Sequence, residues 1–210
     1  MHSLHSILTL TLLTSHIALA AVNIGCYSGI AGWRRNDVEK IYYQDDQGQI
    51  FQQTLDPNGG PAGNRTGPLP LGNYPAVFDS PLAVVQFANA QEIRLYYACP
   101  SPSCPSTNST AICELGSDDG GNRWYNGRLN QYNFCTSGVG RPAQLLYATV
   151  DNRQPRVGFR TAGGRAGTPG AGASTANNEG GEDGGDGDAV GAGLSVALWD
   201  GDSWNLTGPF

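Results

Sequence analysis

The side chain in this sequence best placed to do chemistry is an arginine set in an apolar strand. Glu92-Ile-Arg-Leu-Tyr-Tyr97 alternates strictly, with Ile93, Leu95 and Tyr97 facing one way and Arg94 and Tyr96 the other. A guanidinium among such neighbours is costly to bury without a partner, so Arg94 either reaches solvent or meets a ligand. The same word recurs in weaker form at Glu39-Lys-Ile-Tyr-Tyr43 and Pro155-Arg-Val-Gly-Phe159, which sets Lys40 and Arg156 at the matching place. What is missing narrows the chemistry further. All three histidines (His2, His5 and His16) lie within the first 20 residues. With those residues removed, Ser-His-Asp and Cys-His catalysis and His-ligated metals are excluded. An enzyme built here would have to use carboxylates, tyrosine or arginine.

The elements that must position these residues read as short strands separated by turn signals, the mark of antiparallel sheets. In the second copy the four strands are Ser80–Ala88, Glu92–Tyr97, Ala111–Leu115 and Arg123–Leu129. In the first they are Ala20–Ile24, Val38–Tyr43, Gly48–Gln53 and a blurred fourth within the Gly/Pro-rich run from Asn58 to Gly72. In the third they are Ala143–Thr149, Arg156–Arg160, Leu194–Leu198 and a fourth beginning at Ser203. The repeats span about residues 21–79, 80–141 and 142–210. An acidic residue follows an apolar residue of the third strand by six positions in each copy: Ile50 to Asp56, Ile112 to Asp118 and Leu194 to Asp200. The second and third copies carry insertions between their middle strands, at 98–110 and 162–192, which lengthen them beyond the ~40–50 residues of a typical blade. The 162–192 insertion is Gly/Ala-rich and acidic and is expected to be a disordered loop. Its Gly184–Asp188 stretch resembles a calcium-binding glycine-rich repeat, but Ala189 stands where that repeat needs Asp.

Composition bounds the partners. The chain has 210 residues, 30 Gly, 13 Pro and a formal net charge of −6, with Lys40 the only lysine. Nothing points to nucleic acid or to membrane insertion, and no cofactor or metal is implied. Residues 1–20 read as a secretory signal ending in Ala18-Leu-Ala20, although the n-region lacks Lys and Arg. The sequons at Asn64, Asn108 and Asn205 agree with secretion; without it the chain would be cytoplasmic. In an oxidising compartment Cys26, Cys99, Cys104, Cys113 and Cys135 would give two disulfides and one free thiol, with the pairing left open.

The blade pattern A-V-x…I-R-x-Y-Y…I-x-E…D…W…G resembles the repeat of the fungal fucose-specific lectins, six-bladed β-propellers. The resemblance implies an all-β chain of about three four-stranded antiparallel blades that binds L-fucose and fucosylated glycans between blades, without metal or catalysis. It implies an arginine on the second strand, a glutamate or glutamine on the third, a tryptophan beside the fourth and a further aromatic or apolar wall from the neighbouring blade. The second copy carries the full set, Arg94, Glu114 and Trp124, with Tyr96 on the arginine's face. The fork of Arg would donate to vicinal hydroxyls, Glu would accept from them, and the indole would pack on an apolar sugar face or methyl. The first copy has Lys40 and Gln52 but no tryptophan, and lysine lacks the bidentate fork, so a weak or dead site is expected. The third has Arg156 and Trp204, but Val196 takes the glutamate's place, and that pocket is expected to be impaired. Trp33, ahead of the second strand of the first copy, is expected to pack in the core, with the wall of a site as the alternative.

Three readings compete with this one. Arg94 and Glu114 are equally the members of a structural ion pair, with Trp124 as packing. Ser117-Asp-Asp-Gly-Gly-Asn-Arg-Trp124 matches the S-x-D-x-G-x-x-W box of sialidase propellers, which keeps a sialidase-like or other propeller glycosidase in view. A degenerate propeller without sugar binding is the third. Three blades are too few to close a ring, since propellers have about four to eight. The chain is therefore expected to pair with a second copy as a homodimer or to be a fragment.

Overall fold

A computed structural model describes residues 29–63, 65–104, 110–136, 145–160 and 194–208. Among them there is no α-helix, and three antiparallel sheets follow one another along the chain. Sheet one is β1 (Ile30–Arg35), β2 (Val38–Gln44) and β3 (Ile50–Leu55). Sheet two is β4 (Leu82–Phe87), β5 (Glu92–Pro100), β6 (Thr110–Ser117) and the short β7 (Tyr125–Asn126), with β8 (Cys135–Thr136) also pairing β6. Sheet three is β9 (Leu146–Asp151), β10 (Gln154–Arg160), β11 (Leu194–Trp199) and β12 (Trp204–Thr207).

The first strands β1, β4 and β9 lie side by side, with β4 between the other two. Sheet two is therefore covered on both faces. One core cluster, with Tyr42, Ile50, Ile93, Leu95 and Tyr97, fills the space between sheets one and two. A second, with Val85, Tyr96, Ile112, Leu129, Val157, Phe159 and Trp204, fills the space between sheets two and three. Burial on both faces explains why β6 is closed to solvent along its whole length, although it includes Glu114.

Several elements differ from the sequence expectation, for physical reasons. The strand expected at Ala20–Ile24 lies outside the described residues, and Ile30–Arg35 holds the place beside β2, with Ala31 and Trp33 in the core cluster. The blurred fourth strand of sheet one is a run lying along β3. Gln52 and Thr66 exchange backbone hydrogen bonds of 2.8 Å, and the Ala62 and Leu69 amides donate to Thr54 and Ile50. The run's prolines have no N–H to give, so the ladder is broken. In sheet two only Tyr125–Asn126 of the expected Arg123–Leu129 pairs with β6, and a 3₁₀ turn (Arg128–Gln131) follows. The insertion expected at 98–110 is shorter, because β5 runs on to Pro100 and β6 starts at Thr110. Disulfides Cys99–Cys113 and Cys104–Cys135 tie this end of the sheet. Cys26, the presumed signal, the 162–192 insertion and the Asn64 and Asn108 sequons lie outside the described residues.

Candidate functional site

The alternation of β5 places Arg94. Ile93, Leu95 and Tyr97 are fully buried against sheet one, so Arg94 and Tyr96 face sheet three. Tyr96 stands opposite Glu114 on β6, and Arg94 stands opposite Gly116. Arg94 and Glu114 are thus diagonal neighbours on one face. The missing side chain at Gly116 makes room for the ring of Tyr125, from which a Cβ there would be 2.7 Å away. Arg94 Nη1 donates to the carbonyls of Ile93 (3.0 Å) and Ser117 (3.1 Å) and to Asp118 Oδ1 (3.0 Å). Its Nη2 and Nε stand 3.6 Å from Glu92 and Glu114, beyond hydrogen-bond length. One edge of the fork is anchored and the other is open to a ligand. Burial alone would lower the Arg94 pKa; Tyr125, Glu114 and Asp118 outweigh that and hold it above its ordinary value.

Glu114 is held by the chain just after β7. Its backbone N–H donates to Asn130 Oδ1 (2.6 Å), its carbonyl accepts from Asn130 Nδ2 (3.1 Å), and Gly127 N–H also donates to that carbonyl (2.9 Å). The Asn130 side chain thus imitates a neighbouring strand while the backbone detours from 127 to 134. The detour brings Leu129 N–H to Glu114 Oε2 at 3.1 Å and leaves Oε1 toward Arg94. Gly127 lies directly on the carboxylate, and a Cβ there would overlap it. Burial pushes the Glu114 pKa up; the Leu129 N–H and Arg94 pull it part of the way back.

Sheet three supplies the opposite wall. Trp199, Trp204, Pro155 and Arg153 face Arg94, Glu114 and Tyr125 across a cleft of about 470 Å³. Trp204 meets Tyr96 edge-on at 6.3 Å and Trp199 at 5.8 Å. Tyr96 itself is fully buried beneath the indole, so it supports the cleft without lining it. The sequence reasoning missed Trp199. Its signal was the alternation of β11, in which Ser195, Ala197 and Trp199 share the face toward sheet two.

Trp124 does not join Arg94 and Glu114. It packs in the cluster between sheets one and two, edge-on to Tyr42 at 5.8 Å, with Nε1–H donating to the Gly121 carbonyl (3.1 Å). The cause is strand geometry: successive residues point to opposite faces, and Tyr125 takes the face of Arg94. The expected trio is corrected accordingly. Across from Arg94 and Glu114 stand instead two indoles of the following sheet, Trp199 half-buried and Trp204 almost wholly buried at 3% exposed.

Between sheets one and two, where Trp124 lies, the space beside Lys40 and Gln52 is filled. Lys40 Nζ donates to the Gly120 carbonyl at 2.6 Å, and Gln52 Oε1 accepts from the Tyr42 hydroxyl at 3.2 Å. A Cβ on Gly121 would lie 2.5 Å from Gln52 Oε1 and 3.3 Å from Lys40 Nζ, so the turn of sheet two occupies the pocket. Burial lowers the Lys40 pKa, offset in part by Asp119. In sheet three Arg156 pairs with Asp151 at 2.9 Å. It lies on the face away from Trp204, since Val157 and Phe159 turn inward. Val196 stands opposite Gly158, as Glu114 stands opposite Tyr96, so this face has no acceptor at the matching place.

The S-x-D-x-G-x-x-W box forms a turn. Asp119 Oδ1 accepts from the Asn122 and Arg123 amides at 3.1 and 2.8 Å, and Ser117 Oγ accepts from Gly121 at 2.9 Å. Asp56 and Asp200 hold the corresponding turns of the other sheets. Sheet two thus uses Asp119 in place of the expected Asp118. Asp118 is left to meet Arg94 and to accept from the Tyr125 hydroxyl at 2.7 Å.

No protein-family model matches the chain. No curated protein sequence matches it either. Its fold is similar to that of solved lectins. A variant of the Aleuria aurantia lectin in complex with Fucα1-6GlcNAc superposes with a TM-score of 0.54 at 18% identity, covering 90% of this chain and 50% of that one. The same lectin with α-methyl-L-fucoside gives 0.51 at 20% identity over the same shares. The fold is thus that of a β-propeller, and the chain spans about half the length of these lectin chains.

Proposed function

We propose that this chain is a lectin that binds L-fucose and fucosylated glycans, without catalysis, in the cleft between sheets two and three. The observation that carries the reading is a wall of hydrogen-bonding groups facing a wall of indoles. Arg94 offers Nε and Nη2, Glu114 offers Oε1, and Trp199 and Trp204 stand across from them. Two adjacent hydroxyls of one sugar can accept from the guanidinium and donate to the carboxylate, and these charge-assisted bonds are about twice as strong as neutral ones. The ring face and methyl of a deoxyhexose then pack on indole. The fucosides bound by the fold's relatives agree with this chemistry. Titration with methyl α-L-fucoside tests it: Arg94→Ala and Glu114→Ala should each abolish binding, and survival of binding in both variants rejects the site.

Two bridged cysteine pairs suit an oxidising compartment, and with the signal-like start they support secretion. The outer faces of sheets one and three leave Ile30 and Leu145 exposed, with Val196 and Leu198 half-buried. A second copy of this chain is the partner proposed for those faces. It would complete a ring twice the length of this chain, as in the lectins above. Light scattering at the monomer mass for a stable, folded chain would remove that partner.

A further inference from the structure

We propose that the rim of the same cleft accepts an anionic substituent, a carboxylate or a sulfate ester, on the glycan held between sheets two and three. The inference rests on the proposed sugar site but uses different residues. The cleft is lined by three arginines and three carboxylates, Arg94, Arg128, Arg153, Glu92, Glu114 and Asp118. All three carboxylates lie within 3.6 Å of Arg94. Arg128 and Arg153 are exposed and, among the described residues, neither meets a carboxylate. The six charges of the cleft balance as a whole but are unevenly placed: the floor holds one arginine among three carboxylates, and the two remaining arginines stand at the rim, on a chain whose formal net charge is −6.

The side chain of Arg128 is held in place, and Arg153 is placed by its backbone. The Arg128 guanidinium lies 5.5 Å from the centre of the Trp199 ring. That stacking keeps the group over the cleft wall while its N–H edge stays free for a bidentate acceptor. Arg153 occupies the hairpin between β9 and β10, where Asn152 and Arg153 both have positive φ, 49° and 66°. The second place of such a turn strongly favours glycine. The equivalent hairpin of sheet two has Ala88, Asn89 and Ala90 at positive φ as well, so the turn sets where Arg153 leaves the backbone. The acidic stretch of residues 162–192 leaves from the opposite end of sheet three, after Arg160, so the hairpin carrying Arg153 is remote from its point of attachment.

The test compares a neutral fucosylated oligosaccharide with its sulfated and its uronic-acid-bearing counterparts, titrated into the full chain. At low ionic strength an anionic form should bind about three- to tenfold tighter. Molar salt should shrink the preference toward unity. Arg128→Gln with Arg153→Gln should bring the ratio of anionic to neutral affinity to unity, whatever the change in affinity for methyl α-L-fucoside itself. Whichever anion gains more identifies its source. Equal affinity for neutral and anionic forms, or a preference that persists in the double variant or in molar salt, overturns the inference and leaves the fucose reading standing. Binding of anionic glycans with none of methyl α-L-fucoside supports the inference and defeats the fucose reading. Binding of neither defeats both.

Discussion

Replacing Gly127 by alanine adds one methyl group and should cost this protein its sugar. Gly127 has φ −76°, an ordinary value, so the backbone accepts alanine without strain. At such a site the exchange normally stabilises by about 0.4–1 kcal/mol, through the unfolded chain. Here the new Cβ would overlap the Glu114 carboxylate, which is 4% exposed and has nowhere to retreat. Moving it breaks the 3.1 Å bond from Leu129 N–H and leaves a buried donor unpaired, at about 1–3 kcal/mol. Overpacking adds about 1–3 kcal/mol. The net expectation is a loss of about 2–4 kcal/mol in stability and at least a tenfold loss in fucoside affinity, since Oε1 leaves its place beside Arg94. Denaturant melts and fucoside titrations measure the two. The decisive comparison is a double-mutant cycle with Glu114→Ala, which removes the obstructed group. In that background Gly127→Ala should be neutral or stabilising. An equal cost in both backgrounds, or unchanged binding by the single variant, would refute the steric account.

Other outcomes follow from the same geometry. Trp199→Ala should weaken fucoside binding about two- to tenfold, whereas Trp124→Phe should lower stability and leave affinity alone; the reverse pattern would return Trp124 to the site. Because burial holds the Glu114 pKa above its ordinary value, binding should fail on acidification before an ordinary glutamate would protonate. The stability term has the opposite sign: a carboxyl with a raised folded pKa favours folding below its unfolded pKa, and that contribution is lost as pH rises through the folded value. Glu114→Gln should flatten both trends in titrations and melts run across acidic pH. Opening the Cys104–Cys135 bridge, which spans 31 residues, by paired Ala substitution should cost about 2–4 kcal/mol in a melt. A fluorogenic glycoside panel should show no turnover.

Much of the fold was legible because period-2 patterning and repetition are local signals. Arg94 and Glu114 are grouped by the resemblance to the lectin repeat, and the register agrees with that grouping, since Tyr96 stands against Glu114 as Tyr42 stands against Gln52. The indole was misassigned because family spacing tells which repeat holds a tryptophan but not which face it takes. That depended on a two-residue strand, Tyr125–Asn126, inside a stretch of turn residues. The detour at 127–134 was hidden for another reason. A side chain, Asn130, does there what backbone usually does, and no hydrophobic pattern reports it. Trp33 packs against the core cluster as expected, because Ala31 and Trp33 alternate inward in β1. Closure of the Lys40 pocket also lay beyond sequence, because it comes from the backbone of a turn eighty residues away.

The most direct measurement is a structure of the protein with methyl α-L-fucoside bound. The sugar should lie between sheets two and three, with adjacent hydroxyls on Arg94 Nε or Nη2 and Glu114 Oε1 and its C6 methyl against Trp199 and Trp204. Sugar found beside Trp124 between sheets one and two, or bound away from Arg94, would contradict the account.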